Sequence, residues 1–216
     1  MKKLNEEEYK KLSISEFSKA AEKYETDQEG IYKMCRNDYP PILAEIEKEN
    51  FETLLDIGCG TAPMISLLKE KYPSKKYTGI DLTPKMIEVA KSKNLDNTEF
   101  IVGDAENLPF KDNSFDIIIN SQSFHHYPNP QSFFNEVSRV LKPNGKLILR
   151  DNTSAKWVLW IMNNIELPLA NLIGHGDVKA HSLDEVREYC KISNLKVEKL
   201  EHRFPHRLHL VARKEK

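Results

Sequence analysis

A glycine-containing loop directly after an acidic residue is the part of the sequence best suited to chemistry. Residues Thr53 to Pro63 read Thr-Leu-Leu-Asp-Ile-Gly-Cys-Gly-Thr-Ala-Pro, so an apolar, strand-like run carries Asp56 near its end and is followed by Gly58 and Gly60. Glycine is needed where the backbone turns sharply or lets a ligand approach closely. Strand–loop–helix units of this kind bind ligands beyond the carboxyl end of the strand. Because the carboxylate of Asp56 attracts cations and repels anions, the loop predicts a ligand with an amino or sulfonium group.

The residue at position 63 argues against a nucleotide phosphate at the same loop. In the dinucleotide fingerprint G-x-G-x-x-G, counted from Gly58, the third glycine falls at position 63, where this chain has proline. Pro63 suits the first turn of a helix because its missing N–H is not needed there, but it disfavours a pyrophosphate on that helix start. The loop therefore favours S-adenosylmethionine over NAD.

Two more acidic residues end the next predicted strands. The run Lys76–Asp81 is a short strand that ends in a carboxylate, and an acidic residue at the end of a second strand can accept both hydroxyls of a ribose. The run Thr98–Asp104 is a third strand that ends in Gly103-Asp104 and is followed by Ala105. Carboxylates at neighbouring strand ends predict one binding edge.

Strands and helices alternate through the region that carries these residues. Further strands are predicted at Phe115–Asn120, Lys142–Asp151, Leu195–His202 and Arg207–Arg213, and helices at Pro63–Tyr72, Pro84–Lys93, Pro130–Leu141 and after Ser182. This alternation is typical of parallel sheets with right-handed crossovers. We therefore predict an α/β fold with a Rossmann-like, seven-stranded, mostly parallel sheet flanked by helices.

Five motifs in order resemble the class I S-adenosylmethionine-dependent methyltransferases, in particular the small-molecule branch that includes quinone-biosynthesis enzymes. The motifs are Leu-Asp-Ile-Gly-Cys-Gly-Thr, Gly-Ile-Asp-Leu-Thr-Pro-Lys-Met-Ile, Gly-Asp-Ala-Glu-Asn-Leu-Pro-Phe, Ser-Phe-Asp-Ile-Ile-Ile and Arg-Val-Leu-Lys-Pro-Asn-Gly. The resemblance is strong from Asn50 to Asp151 and covers the rest of the chain only in layout. It implies that the last strand runs antiparallel to the others. One departure is Ala62, where many members carry glycine, and we expect its methyl group to matter little.

The resemblance also implies which residues hold the cofactor. Asp56, Gly58 and Gly60 would bind the methionine portion and Asp81 the ribose. Asp104 would accept the adenine amino group, and three residues would pack on the base: Leu82, Met86 and Ala105. The remaining residues predicted in the cofactor site are Cys59, Gly103, Asn120 and Ser121.

Each of these residues also has a plain structural interpretation. Asp56 can cap the following turn, and Asp81 can cap the helix that begins at Pro84, although Thr83 suits that role better. Asp104 can be an ordinary loop carboxylate, and Met86 a core residue. The cofactor site is predicted from the residues jointly.

Methyl transfer from a sulfonium requires no catalytic triad and no metal, because the donor supplies the reactive group and the protein supplies alignment. A base is needed only if the acceptor loses a proton of high pKa. His125 and His126, after the fourth strand, are the candidates, since histidine titrates near neutral pH. The alternative is that one caps a turn and the other packs. His175 and His181 can line the same pocket.

We predict four parts within one domain: an N-terminal helical cap at 1–49, a cofactor-binding core at 50–151, a helical lid at 152–182 and a C-terminal helix and strand pair at 183–216. Tyr24 is the candidate cleft-facing residue of the cap, or else an aromatic packing residue. Trp157 and Trp160 would form the lid over a flat or apolar acceptor. They can equally pack on the sheet or on a second subunit.

Composition and charge exclude several partners. The 216 residues carry a formal net charge of −1 with both signs mixed, unlike the concentrated basic face of nucleic-acid binders. No apolar stretch reaches the length of a membrane span, and the N-terminal sequence lacks a signal-peptide pattern. Three scattered cysteines fit a reducing compartment, and no Cys/His spacing resembles a zinc site. We expect a cytoplasmic monomer or homodimer with no metal.

The sequence thus predicts an S-adenosylmethionine-dependent methyltransferase with a small-molecule acceptor of unspecified identity. The alternative is a non-catalytic protein that binds S-adenosylmethionine or S-adenosylhomocysteine. A nicotinamide oxidoreductase is disfavoured by Pro63 and Asp56. The Asn/Asp-Pro-Pro-Tyr motif of amino-group methyltransferases does not follow the fourth strand, where the chain reads Asn-Ser-Gln-Ser from Asn120.

Overall fold

A computed structural model describes residues 4–24, 26 and 35–215. The strands are β1 (Thr53–Ile57), β2 (Lys76–Asp81), β3 (Thr98–Val102), β4 (Phe115–Ser121), β5 (Leu141–Asn152), β6 (Leu195–Arg203) and β7 (Arg207–Lys214). The α-helices are α1 (Glu6–Ala20), α2 (Tyr39–Ile46), α3 (Pro63–Lys71), α4 (Pro84–Ser92), α5 (Pro130–Val140), α6 (Lys156–Ile161), α7 (Leu167–Leu172) and α8 (Leu183–Ile192). A 3₁₀ turn at Phe124–His126 follows β4, and a π-helical turn at Met162–Glu166 joins α6 to α7.

The seven strands form one sheet in the order β3-β2-β1-β4-β5-β7-β6. Strands β1 to β5 pair in parallel, whereas β7 runs antiparallel to both of its neighbours, β5 and β6. The fold class and the antiparallel last strand are therefore confirmed. The strand order reverses between β1 and β4, which is where open α/β sheets bind ligands.

Helix starts follow from local chemistry. Proline lies in the first turn of α2, α3, α4 and α5, where its missing N–H costs no hydrogen bond. Ser182 caps the start of α8 in a capping box, because its hydroxyl accepts from the N–H of Glu185 while the Glu185 carboxylate accepts from the N–H of Ser182. These caps fix where each helix leaves the sheet edge.

The core lies on both faces of the sheet. Residues of β1 and β4 are almost fully buried, including Leu54, Leu55, Ile118 and Ile119. Strands buried on both faces read as continuous apolar runs, which explains why this region was recognisable from sequence.

Two local predictions were wrong in detail. β3 ends at Val102, before Gly103-Asp104, because the Asp104 carboxylate accepts from the N–H of Glu106 and turns the chain. Ala62 has φ of 64°, in the left-handed region that disfavours residues with a Cβ. Its methyl group therefore strains the backbone more than the small change that the sequence suggested.

Within the described residues, no helix is both long and apolar enough to cross a membrane.

Candidate active site

The main cleft lies at the carboxyl ends of β1 to β4, with α1 on one side, and has a cavity volume of about 80 Å³. Strand ends and the loops after them contribute Ile57, Gly58, Ile80, Asp81, Leu82, Thr83, Gly103, Asp104, Ala105, Ser121, Gln122, Ser123, His126, Tyr127 and Pro128. α1 and the residues after it contribute Lys10, Ser13, Phe17 and Tyr24.

A side chamber of about 30 Å³ adjoins the main cleft. The two share the lining residues Tyr24, Gly58 and Ser121. Asp56, Cys59 and Gly60 line the side chamber, and Asp81 and Asp104 line the main cleft. The three carboxylates therefore border two neighbouring spaces that share part of their walls.

The glycine loop uses its own N–H groups internally. Gly58 and Cys59 both donate to the carbonyl of Ile80, at 2.8 and 3.1 Å. Gly60 donates to Asp81 Oδ2 at 2.9 Å. Phosphate-binding loops instead point such N–H groups at the anion, so this loop is poorly suited to a pyrophosphate, as its sequence predicts.

Gly58 and Gly60 need glycine to different degrees. Both have left-handed φ angles, 71° and 53°. A Cβ on Gly58 would lie 2.2 Å from Ser123 Oγ, whereas a Cβ on Gly60 would have Tyr24 Cε1 as its nearest neighbour at 3.8 Å. The loop is therefore closely packed at Gly58 and open at Gly60.

Burial makes Asp56 and Asp81 unusual carboxyl groups. Asp56 is 4% exposed, and burial together with the nearby charge of Asp81 raises its pKa well above the ordinary value. The pKa of Asp81 is also raised by burial, against the effect of N–H donors from Thr83 and Gly60. A cationic ligand placed between these groups would relieve the cost of their charge.

Asp104 is engaged by a residue that the sequence analysis did not include. The ammonium of Lys10 lies 2.7 Å from Asp104 Oδ2 and 2.6 Å from Glu106 Oε2. An adenine amino group at Asp104 would therefore share that carboxylate with Lys10.

The structure brings most predicted cofactor residues to these two spaces but leaves two out. Met86 is 1% exposed in the core and lines neither space. Asn120 is fully buried behind the loop, where its side-chain amide donates to the carbonyl of Ile57 and to Ser123 Oγ. Cys59 is buried, which raises the pKa of its thiol and makes it unsuited to act as a nucleophile.

One buried polar atom is placed where a ligand could supply its hydrogen bond. Ser121 Oγ is buried, borders both spaces and has no hydrogen-bond partner among the described residues. Buried polar groups are normally paired. Together with the buried acidic pair, this hydroxyl suits a polar ligand with a cationic group, and the residues fit S-adenosylmethionine.

The two candidate bases have different surroundings. His125 Nδ1 lies 2.7 Å from Asp151 Oδ1, and its Nε2 lies 3.3 Å from Asp177 Oδ1. Although burial opposes its charge, these two carboxylates raise the pKa of His125 to about 10. The pKa of His126 is lowered by burial and by the charge of His125. Of the two, only His126 lines the main cleft.

The predicted lid residues lie apart from the cleft. Trp157 and Trp160 are 70% and 61% exposed and line neither space. Tyr24 lines both spaces. His175 pairs with Glu16 of α1 at 2.6 Å, and the imidazole of His181 packs on Phe124 with the ring centroids 4.5 Å apart.

Sequence reasoning missed the residues of α1 that line the cleft. Lys10, Ser13 and Phe17 are spaced by three and four residues, so they share one helix face. Asp151 and Asp177 were also missed as partners of His125, because only the fold brings these three side chains together.

Comparison with known proteins agrees with the geometry. Residues 55–149 match a family model described as a methyltransferase domain. A demethylmenaquinone methyltransferase of Thermotoga maritima is 38% identical over 144 residues, which cover 65% of this chain and 61% of that protein. A fatty-acid O-methyltransferase of Mycolicibacterium smegmatis is 38% identical over 128 residues, covering 59% of this chain and 46% of that protein. The matched part thus spans about half the length of these curated relatives.

A solved structure shares the whole architecture. The crystal structure of a SAM-dependent methyltransferase from Aquifex aeolicus superposes with a TM-score of 0.63 at 20% identity and covers 98% of this chain and 99% of that one. This likeness extends the agreement in fold beyond residues 55–149.

Proposed function

We propose that the chain, whose residues 55–149 match a methyltransferase domain, transfers a methyl group from S-adenosylmethionine to a small-molecule acceptor. The observation that carries the proposal is the set of carboxylates Asp56, Asp81 and Asp104 around two neighbouring spaces, beside a glycine loop whose N–H groups donate within the protein. These three carboxylates suit the amino group, the ribose and the adenine of S-adenosylmethionine rather than a phosphate group.

Asp56 would hold the amino group, Asp81 the ribose hydroxyls and Asp104 the adenine amino group. Ser121 Oγ offers a further hydrogen bond to the methionine portion. Leu82 and Ala105 line the main cleft and would contact the base. S-adenosylmethionine supplies a methyl group on a sulfonium that leaves as a neutral thioether, so the chain's own residues need mainly to align and desolvate the reactants.

The acceptor is proposed to be apolar. The two curated relatives are named for demethylmenaquinone and for a fatty acid, and the cleft wall beside the predicted cofactor residues includes Phe17 and Tyr127. Aromatic walls of this kind bury apolar surface and fix its orientation.

The prediction that a histidine acts as base remains a prediction, and the surroundings favour His126 over His125. An imidazole with a pKa of about 10 holds its proton at neutral pH and cannot accept another. Burial and the charge of His125 lower the pKa of His126, which borders the cleft.

The test is to incubate the purified chain with S-adenosylmethionine and isoprenoid quinols, phenols or fatty acids, and to measure S-adenosylhomocysteine formation. Acceptor-dependent release of S-adenosylhomocysteine supports the proposal. Tight binding of S-adenosylhomocysteine without methylation of any acceptor would instead support the non-catalytic alternative, and absence of binding would refute both.

A further inference from the structure

Three side chains at the edge of the main cleft are arranged like the ligands of a metal ion. His125 Nε2 and His126 Nδ1 lie 3.3 and 3.7 Å from the same atom, Asp177 Oδ1. Ligand atoms of a tetrahedral zinc site with bonds of about 2.0–2.1 Å lie about 3.3 Å apart. The three side chains are mostly buried, with exposed fractions of 13%, 11% and 22%.

The nitrogen of His125 that faces away from this centre is already fixed. His125 Nδ1 is 2.7 Å from Asp151 Oδ1, and Asp151 is 1% exposed. Metal-binding histidines commonly donate their other N–H to a carboxylate, which sets the tautomer and turns the free nitrogen toward the ion. Asp151 prepares Nε2 of His125 in this way.

His126 shows that a partner is needed at the centre itself. Its Nδ1 is buried and has no hydrogen-bond partner among the described residues, and it faces Asp177 at a distance too long for a hydrogen bond. Leaving a buried nitrogen in this state costs free energy. A cation between Nδ1 and the carboxylate would remove that cost.

The charge of the cluster also favours a bound cation. Two carboxylates, those of Asp151 and Asp177, lie against the imidazole rings of His125 and His126. The more distant groups are already engaged, since Glu16 pairs with His175 and Lys179 with Glu185. A divalent cation, with both histidines neutral, would balance the two carboxylates.

We propose that His125, His126 and Asp177 bind one divalent cation of the zinc type at the wall of the main cleft. Histidine and carboxylate ligands together suit zinc-like ions, whereas magnesium prefers an all-oxygen octahedral shell. Three protein ligands leave a fourth position for water or for an oxygen of the acceptor, as in catalytic zinc sites. The acceptor-oxygen role rests on the proposed function, whereas cation binding does not.

The cation would also stabilise the position of the loop that carries Asp177. The backbone of Val178 and Lys179 already donates to the carbonyl of His125, and Gly176 N donates to Glu16 of α1 at 2.9 Å. A metal bond to Asp177 would tie this loop, and through it α1, to the end of β4.

The test is titration of the chelator-treated full chain with Zn²⁺ and separately with Mg²⁺, followed by calorimetry and thermal unfolding. We expect one Zn²⁺ per chain, a rise in Tm and little response to Mg²⁺. His126→Gln and Asp177→Asn should each weaken Zn²⁺ binding by at least about tenfold, because loss of even a residue that only supports a metal ligand costs about 10- to 100-fold. His202→Ala, which removes an exposed imidazole on β6, should leave Zn²⁺ binding unchanged.

Circular dichroism of the metal-free variants confirms that each is folded before its affinity is compared. Absence of stoichiometric Zn²⁺ binding to the wild type would overturn the proposal, as would equal binding by folded His126→Gln and Asp177→Asn. Because S-adenosylhomocysteine binding is measured in parallel on the metal-free chain, loss of the cation site and failure of the proposed function give different results. Bound Zn²⁺ would also exclude His126 as a free base.

Discussion

The two sides of the cleft are held together by different kinds of contact. The side proposed to bind the cofactor, called the cofactor side, is formed by strand ends and tight loops that follow one another between residues 53 and 121, and its backbone groups are bonded within that region. The opposite side joins α1, the turn after β4 and the loop at 175–179, which meet through side-chain pairs such as Lys10–Asp104 and His125–Asp177. The first side therefore depends on local backbone geometry, and the second on long-range contacts.

The largest expected effect lies on the cofactor side, in Asp81→Ala. This variant removes the proposed ribose acceptor and the partner of the N–H groups of Gly60 and Thr83. Hydrogen bonds to a charged group contribute about 1.5–3 kcal/mol each, so the Kd for S-adenosylhomocysteine should rise at least about tenfold by calorimetry. Asp81→Asn, which keeps one acceptor oxygen, should lose less. Unchanged affinity in a folded Asp81→Ala protein would contradict the assignment.

A matched pair of glycine variants tests the local geometry. Gly58→Ala combines a left-handed φ with a Cβ 2.2 Å from Ser123 Oγ, whereas Gly60→Ala has only the strained φ. We expect Gly58→Ala to lower the unfolding free energy by about 2–4 kcal/mol and Gly60→Ala by about 1 kcal/mol. Urea unfolding measures both. Equal losses of unfolding free energy in the two variants would show that close packing at Gly58 adds nothing to the cost of the strained φ.

The pH dependence of S-adenosylhomocysteine binding tests the proposed role of Asp56. Burial and the charge of Asp81 raise its pKa, so the carboxyl group takes up a proton as the pH falls, and attraction to the ligand ammonium is lost below the raised pKa. The Kd of S-adenosylhomocysteine should rise toward about tenfold per pH unit there. Methylthioadenosine has no amino group and serves as the matched ligand, with a flatter profile. Parallel profiles for the two ligands as the pH falls would count against an Asp56–amine contact.

The smallest effect is expected for Trp160→Ala. Trp160 is 61% exposed and lines neither space, so its removal should leave the Kd for S-adenosylhomocysteine and the Tm almost unchanged. If the predicted lid closes over an acceptor, the acceptor KM should rise about two- to tenfold, since an aromatic contact contributes about 0.5–1.5 kcal/mol. Steady-state kinetics at saturating S-adenosylmethionine measures this change. Equal losses of acceptor and cofactor binding would contradict a lid role.

The contrast between the two sides of the cleft also explains which features could be predicted from the sequence. The runs Lys76–Asp81 and Pro63–Tyr72 match β2 and α3 within one residue, because proline, glycine and continuous apolar runs fix element boundaries locally. The partners of His125 could not be predicted, since Asp151 and Asp177 approach it only after the sheet and the loop at 175–179 have assembled. Met86 shows the opposite error, in which a residue of a recognisable motif is part of the core.

The most direct test of the account is calorimetric titration of the purified wild-type chain with S-adenosylhomocysteine and, separately, with NAD. The strand-end carboxylates and the internally bonded loop predict micromolar or tighter binding of S-adenosylhomocysteine, a ΔG of about −8 kcal/mol or more favourable, and no measurable binding of NAD. Binding of NAD in preference to S-adenosylhomocysteine, or of neither ligand, would contradict it.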